Sequence, residues 1–261
     1  MAATDPSDPF GSHLEAGIHR NVARLLGRRS DLEGKTVLDL ACGDGRTTHL
    51  LRTLGAIVTP YDLFPDICKL PDRPQFVDLQ APLPIPANSV DFVVLQEVIE
   101  HLPNQLLPLQ EIARVLKPGG ELFITTPTRS SLISKLCHLG FESENMKSPP
   151  NGSVNGVWYD PVTGHRYFGH LFLIGVQQLR ALALIAGFKQ ITFHRSELST
   201  SSAWLFPLLY PFVWLISYRA MRRGRRRADQ AGLADEITQQ FALNVSPRTL
   251  TNKFLIASFY K

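Results

Sequence analysis

The run Thr36-Val37-Leu38-Asp39-Leu40-Ala41-Cys42-Gly43-Asp44-Gly45-Arg46-Thr47-Thr48-His49-Leu50-Leu51 decides how the rest of the chain reads. Val37, Leu38 and Leu40 make a short apolar strand that stops at a turn of small residues, and a helix follows through Thr47 to Leu51. Strand, glycine turn and helix in that order build a nucleotide cradle, because glycine lets the backbone approach a ligand where a Cβ would collide. Asp44, inside the turn, can catch a polar or cationic group. Dinucleotide cradles want G-x-G-x-x-G, with a third glycine for close helix–strand packing. Here Gly43-Asp44-Gly45-Arg46-Thr47-Thr48 lacks that third glycine, and an acid, Asp39, stands four residues before the first one.

The bulk properties leave room for such a domain. A chain of 261 residues with 44% hydrophobic content can hold one large α/β domain with an insertion, or two small domains. Its net charge of +4 is local, since six arginines fall between Arg219 and Arg227. Cys42, Cys68 and Cys137 are far apart and form no C-x-x-C pair, so neither a disulfide frame nor a metal site is expected, which fits a reducing cytosol. The first residues are polar and lack an apolar h-region, so no signal peptide is expected.

Outward from the cradle, strands and helices alternate. Upstream, Leu14, Ile18, Val22, Leu25 and Leu26 recur at helical spacing, with Gly27 as the stop. Downstream, Ala56 to Thr59 reads as a second strand, ending near Asp62. A carboxylate there can accept from both hydroxyls of a ribose. Phe76 to Leu79 reads as a third strand with Asp78 at its exit, and Ser89 to Leu95 as a fourth that runs into Gln96-Glu97-Val98-Ile99-Glu100-His101-Leu102. A helix over Leu106 to Leu116 stops at Lys117-Pro118-Gly119-Gly120, and Glu121 to Thr125 is a fifth strand.

The ordered set VLDLACGDG, PYD, FVDL, DFVVLQEVIEHL and LKPGGELFITTP resembles the cofactor half of the class I S-adenosylmethionine (SAM)-dependent methyltransferases, over roughly residues 14–127. Five signatures in this order displace the NAD reading. The resemblance implies a Rossmann-like, doubly wound seven-stranded α/β sheet whose seventh strand is antiparallel. It implies SAM as cofactor, held by Asp39, Ala41, Gly43, Gly45, Asp62, Leu63, Asp78, Leu79 and Gln96, with Asp78 beside the adenine. The upstream helix would close over the cofactor.

Beyond Pro127 the pattern loosens. Ser131 to Leu139 reads as a short helix, Glu142 to Gly164 as a long polar loop, and Gly164 to His170 as an aromatic turn. A helix carrying Val176, Leu179, Leu182 and Ile185 ends at Gly187. Lys189 to Phe193 is the sixth strand and Phe254 to Tyr260 the seventh. On this reading residues 1–197 form the methyltransferase domain, with 252–261 returning as its last strand, and residues 198–251 are an insertion.

That insertion opens with twenty-one uncharged residues, Leu198 to Tyr218, and the arginines follow at once. As a straight helix this stretch would reach about 31 Å, roughly a hydrocarbon core. A single span conflicts with topology, because strands six and seven share a sheet and the chain must leave and return on one side. Pro207 and Pro211 also interrupt a simple helix. The expectation is a kinked re-entrant or interfacial segment, with Trp204 to Tyr218 in the headgroups of an anionic membrane and Arg219 to Arg227 as a polybasic anchor. A lid over an apolar pocket and a dimer interface are the alternatives. Nucleic acid is not expected, since no aromatic stacking surface interleaves the arginines.

Methyl transfer is an in-line displacement that mainly needs alignment, and a hydroxyl acceptor adds the need for a base. His101, beside the cofactor edge, and His165, in the aromatic turn, are the candidates, while Glu97 and Glu100 either position substrate or solvate a helix face. The sequence thus reads as a SAM-dependent methyltransferase at the inner, cytoplasmic face of a membrane. Its acceptor would be lipid-linked or apolar, methylated at oxygen rather than nitrogen or carbon. A soluble small-molecule methyltransferase with an apolar lid and a non-catalytic tethering subunit are the rival readings.

Overall fold

A computed structural model of the chain describes residues 17–141, 157–159, 164, 166–227 and 233–261. The chain divides into two compact units. One comprises residues through Thr125 with Leu182–Phe193 and Ile256–Lys261; the other comprises Thr126–Ala181 and His194–Leu255. Compactness therefore groups Thr126–Ala181 with the helices of the insertion.

In chain order the elements are α1 (Gly17–Leu26), β1 (Thr36–Leu40), α2 (Arg46–Thr53), β2 (Ile57–Asp62), β3 (Gln75–Phe76), β4 (Val90–Gln96), α3 (Leu106–Val115), β5 (Leu116–Pro127), α4 (Leu132–Phe141), β6 (Val157–Tyr159), β7 (Arg166–Phe168), α5 (Val176–Ala186), β8 (Gln190–Phe193), α6 (Thr200–Arg227), α7 (Leu233–Val245), α8 (Pro247–Thr251) and β9 (Phe254–Tyr260).

The first unit carries the sheet, in the order β3-β2-β1-β4-β5-β9-β8. β1 pairs in parallel with β2 and β4, and β4 with β5, whereas β8 and β9 are antiparallel. The seven strands and the antiparallel seventh are those the sequence implied. β1 and β4 sit at the centre and are buried along nearly their whole length, as expected of a sheet covered on both faces. α1 presents Ile18, Val22 and Leu26 to the core at four-residue spacing. α3 buries Leu109, Ile112, Ala113 and Val115. The chain passes from α3 directly into β5, because Pro118 cannot continue a helix and disfavours helical geometry just before it. Gly120 is required there: a Cβ would lie 2.9 Å from the Lys117 carbonyl oxygen and 3.1 Å from that of Asp91.

Several boundaries differ from the sequence reading. β2 runs on to Asp62 through Pro60, which lies before the pairing of β2 with β3 begins at Tyr61. β3 spans two residues rather than Phe76 to Leu79. The Asp78 side chain accepts from Gln80 N–H at 2.8 Å and its carbonyl from Ala81 N–H at 3.0 Å, turning the chain out of the sheet. β5 begins at Leu116 instead of Glu121 and includes the Lys-Pro-Gly-Gly run, with a register shift against β4 between Val90 and Phe92.

The second unit holds two corrections. Part of the expected polar loop and aromatic turn is a hairpin: Val157, Trp158 and Tyr159 pair antiparallel with Phe168, Tyr167 and Arg166. β-Branched Val157 opposite aromatic Phe168 favours that pairing over an open loop. The rest of the expected loop, and His165 with it, lies outside the described residues. The apolar run is not broken at its prolines, since α6 continues for 28 residues through Pro207 and Pro211. Each proline removes one donor, and its fixed φ is compatible with a helix. Both are on the exposed side of α6, where water can take up the freed carbonyls. α6 packs on α4, α7 and α8. Its start is fixed by fully buried Ser202, whose Oγ accepts from Ile133 N–H at 3.2 Å.

Candidate active site

The expected cofactor residues all belong to the first unit, where the parallel strands end. The turn after β1 alternates in handedness: Ala41, Gly43 and Gly45 have φ of 58°, 56° and 89°. For Ala41 that geometry costs roughly 1 kcal/mol, a cost seen mostly at functional turns. The turn is held by Cys42 N–H to Tyr61 O at 3.0 Å and Gly45 N–H to Cys42 O at 3.0 Å. The two glycines differ in their surroundings. A Cβ on Gly45 would lie 2.8 Å from the Leu70 side chain and 2.9 Å from Cys68 Sγ, whereas one on Gly43 would meet no atom of the described residues within 4 Å. Gly45 is required by packing, and Gly43 leaves the backbone open to an incoming ligand.

Two carboxylates frame the turn. Asp62, nearly buried, accepts from Gly43 N–H and from Phe64 N–H, both at 2.8 Å, and so ties the turn to the end of β2. Two of its roughly four lone-pair sites remain for a ribose diol. Asp39 is fully buried. Its Oδ2 accepts from Thr48 Oγ1 at 2.6 Å, and among the described residues its Oδ1 has no hydrogen-bond partner. Burial pushes its pKa up to about 6, opposed by the Thr48 bond and assisted by the Asp62 charge. Gln96 repeats the pattern, donating to Thr47 Oγ1 at 2.7 Å while its Oε1 is buried without a partner among the described residues.

The other expected residues divide. Leu79 is buried and Leu63 half-buried beside the strand ends, while Asp78 is exposed and engaged in its own turn. Asp44, read as able to catch a cation, is already paired by Arg46 through its Nε and Nη2.

Beyond β4 the chain turns sharply at Glu97, a non-glycine residue at φ 48°. Its N–H donates to Thr125 O at 3.0 Å, and its Oε1 accepts from Thr125 Oγ1 at 2.9 Å. Burial and the nearby Glu100 charge push its pKa up to about 8, against the Thr125 bond. Glu97 is therefore no solvated helix face but a carboxyl poised near neutrality, the range in which general acids and bases work. Glu100 is fully buried in a short 3-10 turn over Ile99–His101, and His101 Nε2, on a partly exposed ring, lies 3.9 Å from its Oε1.

Thr47, Thr48 and His19 were not singled out from the sequence. The threonines had a signal, a pair of hydroxyls at the start of the helix that leaves a glycine turn. His19 of α1 had none: its Nδ1 is buried without a hydrogen bond among the described residues, and burial, then the Arg46 charge, lower its pKa.

These residues fit SAM. Buried acceptors at Asp39 Oδ1 and Gln96 Oε1 call for donors, which the ammonium and hydroxyl groups of SAM provide, and the backbone at Gly43 admits close approach. Asp39, Asp62 and Gln96 would hold it.

Comparison with known proteins agrees. Residues 10–192 match the model of a family described as a methyltransferase domain. A ubiquinone biosynthesis O-methyltransferase of Xanthomonas oryzae pv. oryzae is 36% identical over 137 residues, 47% of this chain and 56% of that protein. One of Xylella fastidiosa is 33% identical over 151 residues, 52% and 59% of the two chains. The chain thus spans a little over half the length of the curated relatives it matches. Among solved structures, a SAM-dependent methyltransferase from Archaeoglobus fulgidus superposes with a TM-score of 0.54 at 15% identity, covering 97% of this chain and 100% of that one. A Haemonchus contortus phosphoethanolamine N-methyltransferase 2, solved with SAM, does so at 0.51 and 18% identity over 97% of this chain and 55% of that one. With a glycine turn open to a ligand, acids at the ends of β1 and β2, and a family model matching most of its length, this chain belongs to the methyltransferase-domain family and takes SAM as its cofactor.

Proposed function

We propose that the protein transfers the methyl group of SAM to an oxygen of a lipid-linked or apolar acceptor at the cytoplasmic face of a membrane. The carrying observation is the similarity, over about half of the chain, to proteins named ubiquinone biosynthesis O-methyltransferases. The exposed apolar helix α6 supports the acceptor class, because an apolar surface is of use where substrate is held in lipid.

SAM supplies a methyl group on a positively charged sulfur, already activated for displacement. The residues around it bind and align. Asp62 and Asp39 would orient its nucleoside and amino-acid ends, and Gln96, held by Thr47, would fix the edge beside β4. An acceptor hydroxyl would have to give up its proton on methylation, so a base must stand beside it. His101 is the base, an imidazole being able to take that proton at neutral pH.

The test is transfer of labelled methyl from SAM into a host membrane extract, followed by organic–aqueous partition. Label in the organic phase that disappears in Asp62→Ala is the expected result. Label confined to soluble products would overturn the acceptor class. Bound SAM with no transfer to any fraction would overturn the enzymatic reading in favour of a tethering subunit.

A further inference from the structure

We propose that the outer face of α6 docks flat on an anionic phospholipid surface, as an interfacial helix and not as a membrane span. Trp204, Leu208, Phe212 and Ile216 recur every four residues and are 81%, 66%, 61% and 67% exposed. They form one stripe about 18 Å long that presents on the order of 500 Å² of apolar surface, as much as the largest patch a soluble monomer ordinarily shows. Six arginines follow on the same helix between Arg219 and Arg227. Among the described residues none of these arginines lies within salt-bridge distance of a carboxylate, and Arg222 rests over the Tyr218 ring at 5.9 Å. An apolar stripe followed by unneutralised cations matches the boundary of a bilayer with negatively charged headgroups. There aromatic and aliphatic side chains enter the acyl edge while arginines meet phosphates.

By length and composition α6 could instead cross a membrane. Its packing opposes that. The face opposite the stripe is taken by α7: Phe241 packs edge-on against Trp214 and Tyr218, and Ile237 lies where a Cβ on Gly224 would be 3.3 Å away. α7 carries Asp235, Glu236, Gln239 and Gln240 and is bound in turn to α5. Arg180 donates to Gln239 Oε1 at 3.0 Å, and Gln177 Nε2 to Gln240 O at 2.8 Å and Asn244 Oδ1 at 3.1 Å. A span would have to strip α7 from α6 or carry these charges and amides into hydrocarbon. One apolar face with a polar backing suits a surface.

This deepens the reading of a membrane acceptor, yet lipid binding is measured without acceptor, so its failure would leave methyl transfer standing. The probes are vesicles of phosphatidylcholine alone and of phosphatidylcholine mixed with phosphatidylglycerol. The wild-type chain is expected to co-float with the mixed vesicles, to be released by high salt or alkaline carbonate, and to show Trp204 fluorescence quenched by brominated acyl chains. Leu208→Asp with Phe212→Asp should abolish flotation. Arg222→Gln with Arg223→Gln and Arg226→Gln should reduce affinity for the mixed vesicles at least about tenfold. Unchanged SAM binding shows that each variant is folded. Three results would overturn the proposal: no preference for phosphatidylglycerol, resistance to carbonate as of a spanning helix, or a lipid-independent dimer abolished by the same stripe substitutions.

Discussion

Asp39→Asn separates what the first acid contributes to the fold from what it contributes to binding. Asp39 is fully buried, and its pKa rises from 3.8 to about 6. Between those values the native protein keeps a proton that the unfolded chain has released, so stability falls as pH rises. Above pH 6 the whole cost is expressed. Two pKa units correspond to about 3 kcal/mol. Asparagine cannot ionise and removes that cost, but it weakens the bond from Thr48 Oγ1 by about 1 kcal/mol. The net expectation for the cofactor-free protein at pH 8 is a gain of about 2 kcal/mol, or roughly 4–8 °C in Tm. At pH 4 the gain vanishes or turns slightly negative. Urea unfolding of both proteins from pH 4 to 8 measures the difference and cancels the carboxylates elsewhere that titrate in the opposite sense. The same substitution should weaken SAM roughly ten- to a hundredfold, since a charged acceptor is lost where Oδ1 stood unpartnered, and calorimetry at pH 7.5 reads that out. A stability difference that does not change with pH, or unchanged SAM affinity, would refute the reasoning.

Gly45→Ala should cost about 2–3 kcal/mol, from a left-handed φ and a Cβ driven into Leu70 and Cys68. Gly43→Ala, with no atom of the described residues nearby, should cost only about 1 kcal/mol yet lower SAM affinity more than tenfold. Thermal melts beside calorimetry distinguish the two, and similar stability losses would contradict the assigned roles. Glu97→Gln removes a carboxyl whose pKa is raised from 4.5 to about 8, so its stability relative to wild type should climb across that window, by roughly 2–4 kcal/mol at pH 9. A flat difference in urea midpoint with pH would show that Glu97 ionises normally.

Much of the first unit was legible because its information is local. Asp39, Gly43, Gly45 and Asp62 stand at fixed distances from apolar strands, and parallel strands buried on both faces read as continuous hydrophobic runs. What escaped notice depends on residues distant in sequence. Glu97 looks like a helix-face acid until β5 brings Thr125 beside it and the backbone turns to positive φ. His19 is one polar residue on an amphipathic helix until α1 sets it near Asp44 and Arg46. The hairpin of Val157–Tyr159 with Arg166–Phe168 was hidden because each strand is only three residues long within polar, glycine- and proline-rich sequence.

The sequence by itself determined the family, the cofactor and the seven-stranded sheet, since these follow from short motifs whose chemistry is carried by neighbouring residues. Only the tertiary structure decided which face of α6 is covered. Hydropathy sums a whole helix and cannot tell a face covered by another helix from one turned outward. Packing of Phe241 and Ile237 covers one side of α6, while Trp204, Leu208, Phe212 and Ile216 stand out from the other. It was likewise only the folded chain that showed Asp44 already paired and Asp39 with one oxygen unpartnered. Which polar groups are satisfied depends on distances that spacing along the chain does not contain.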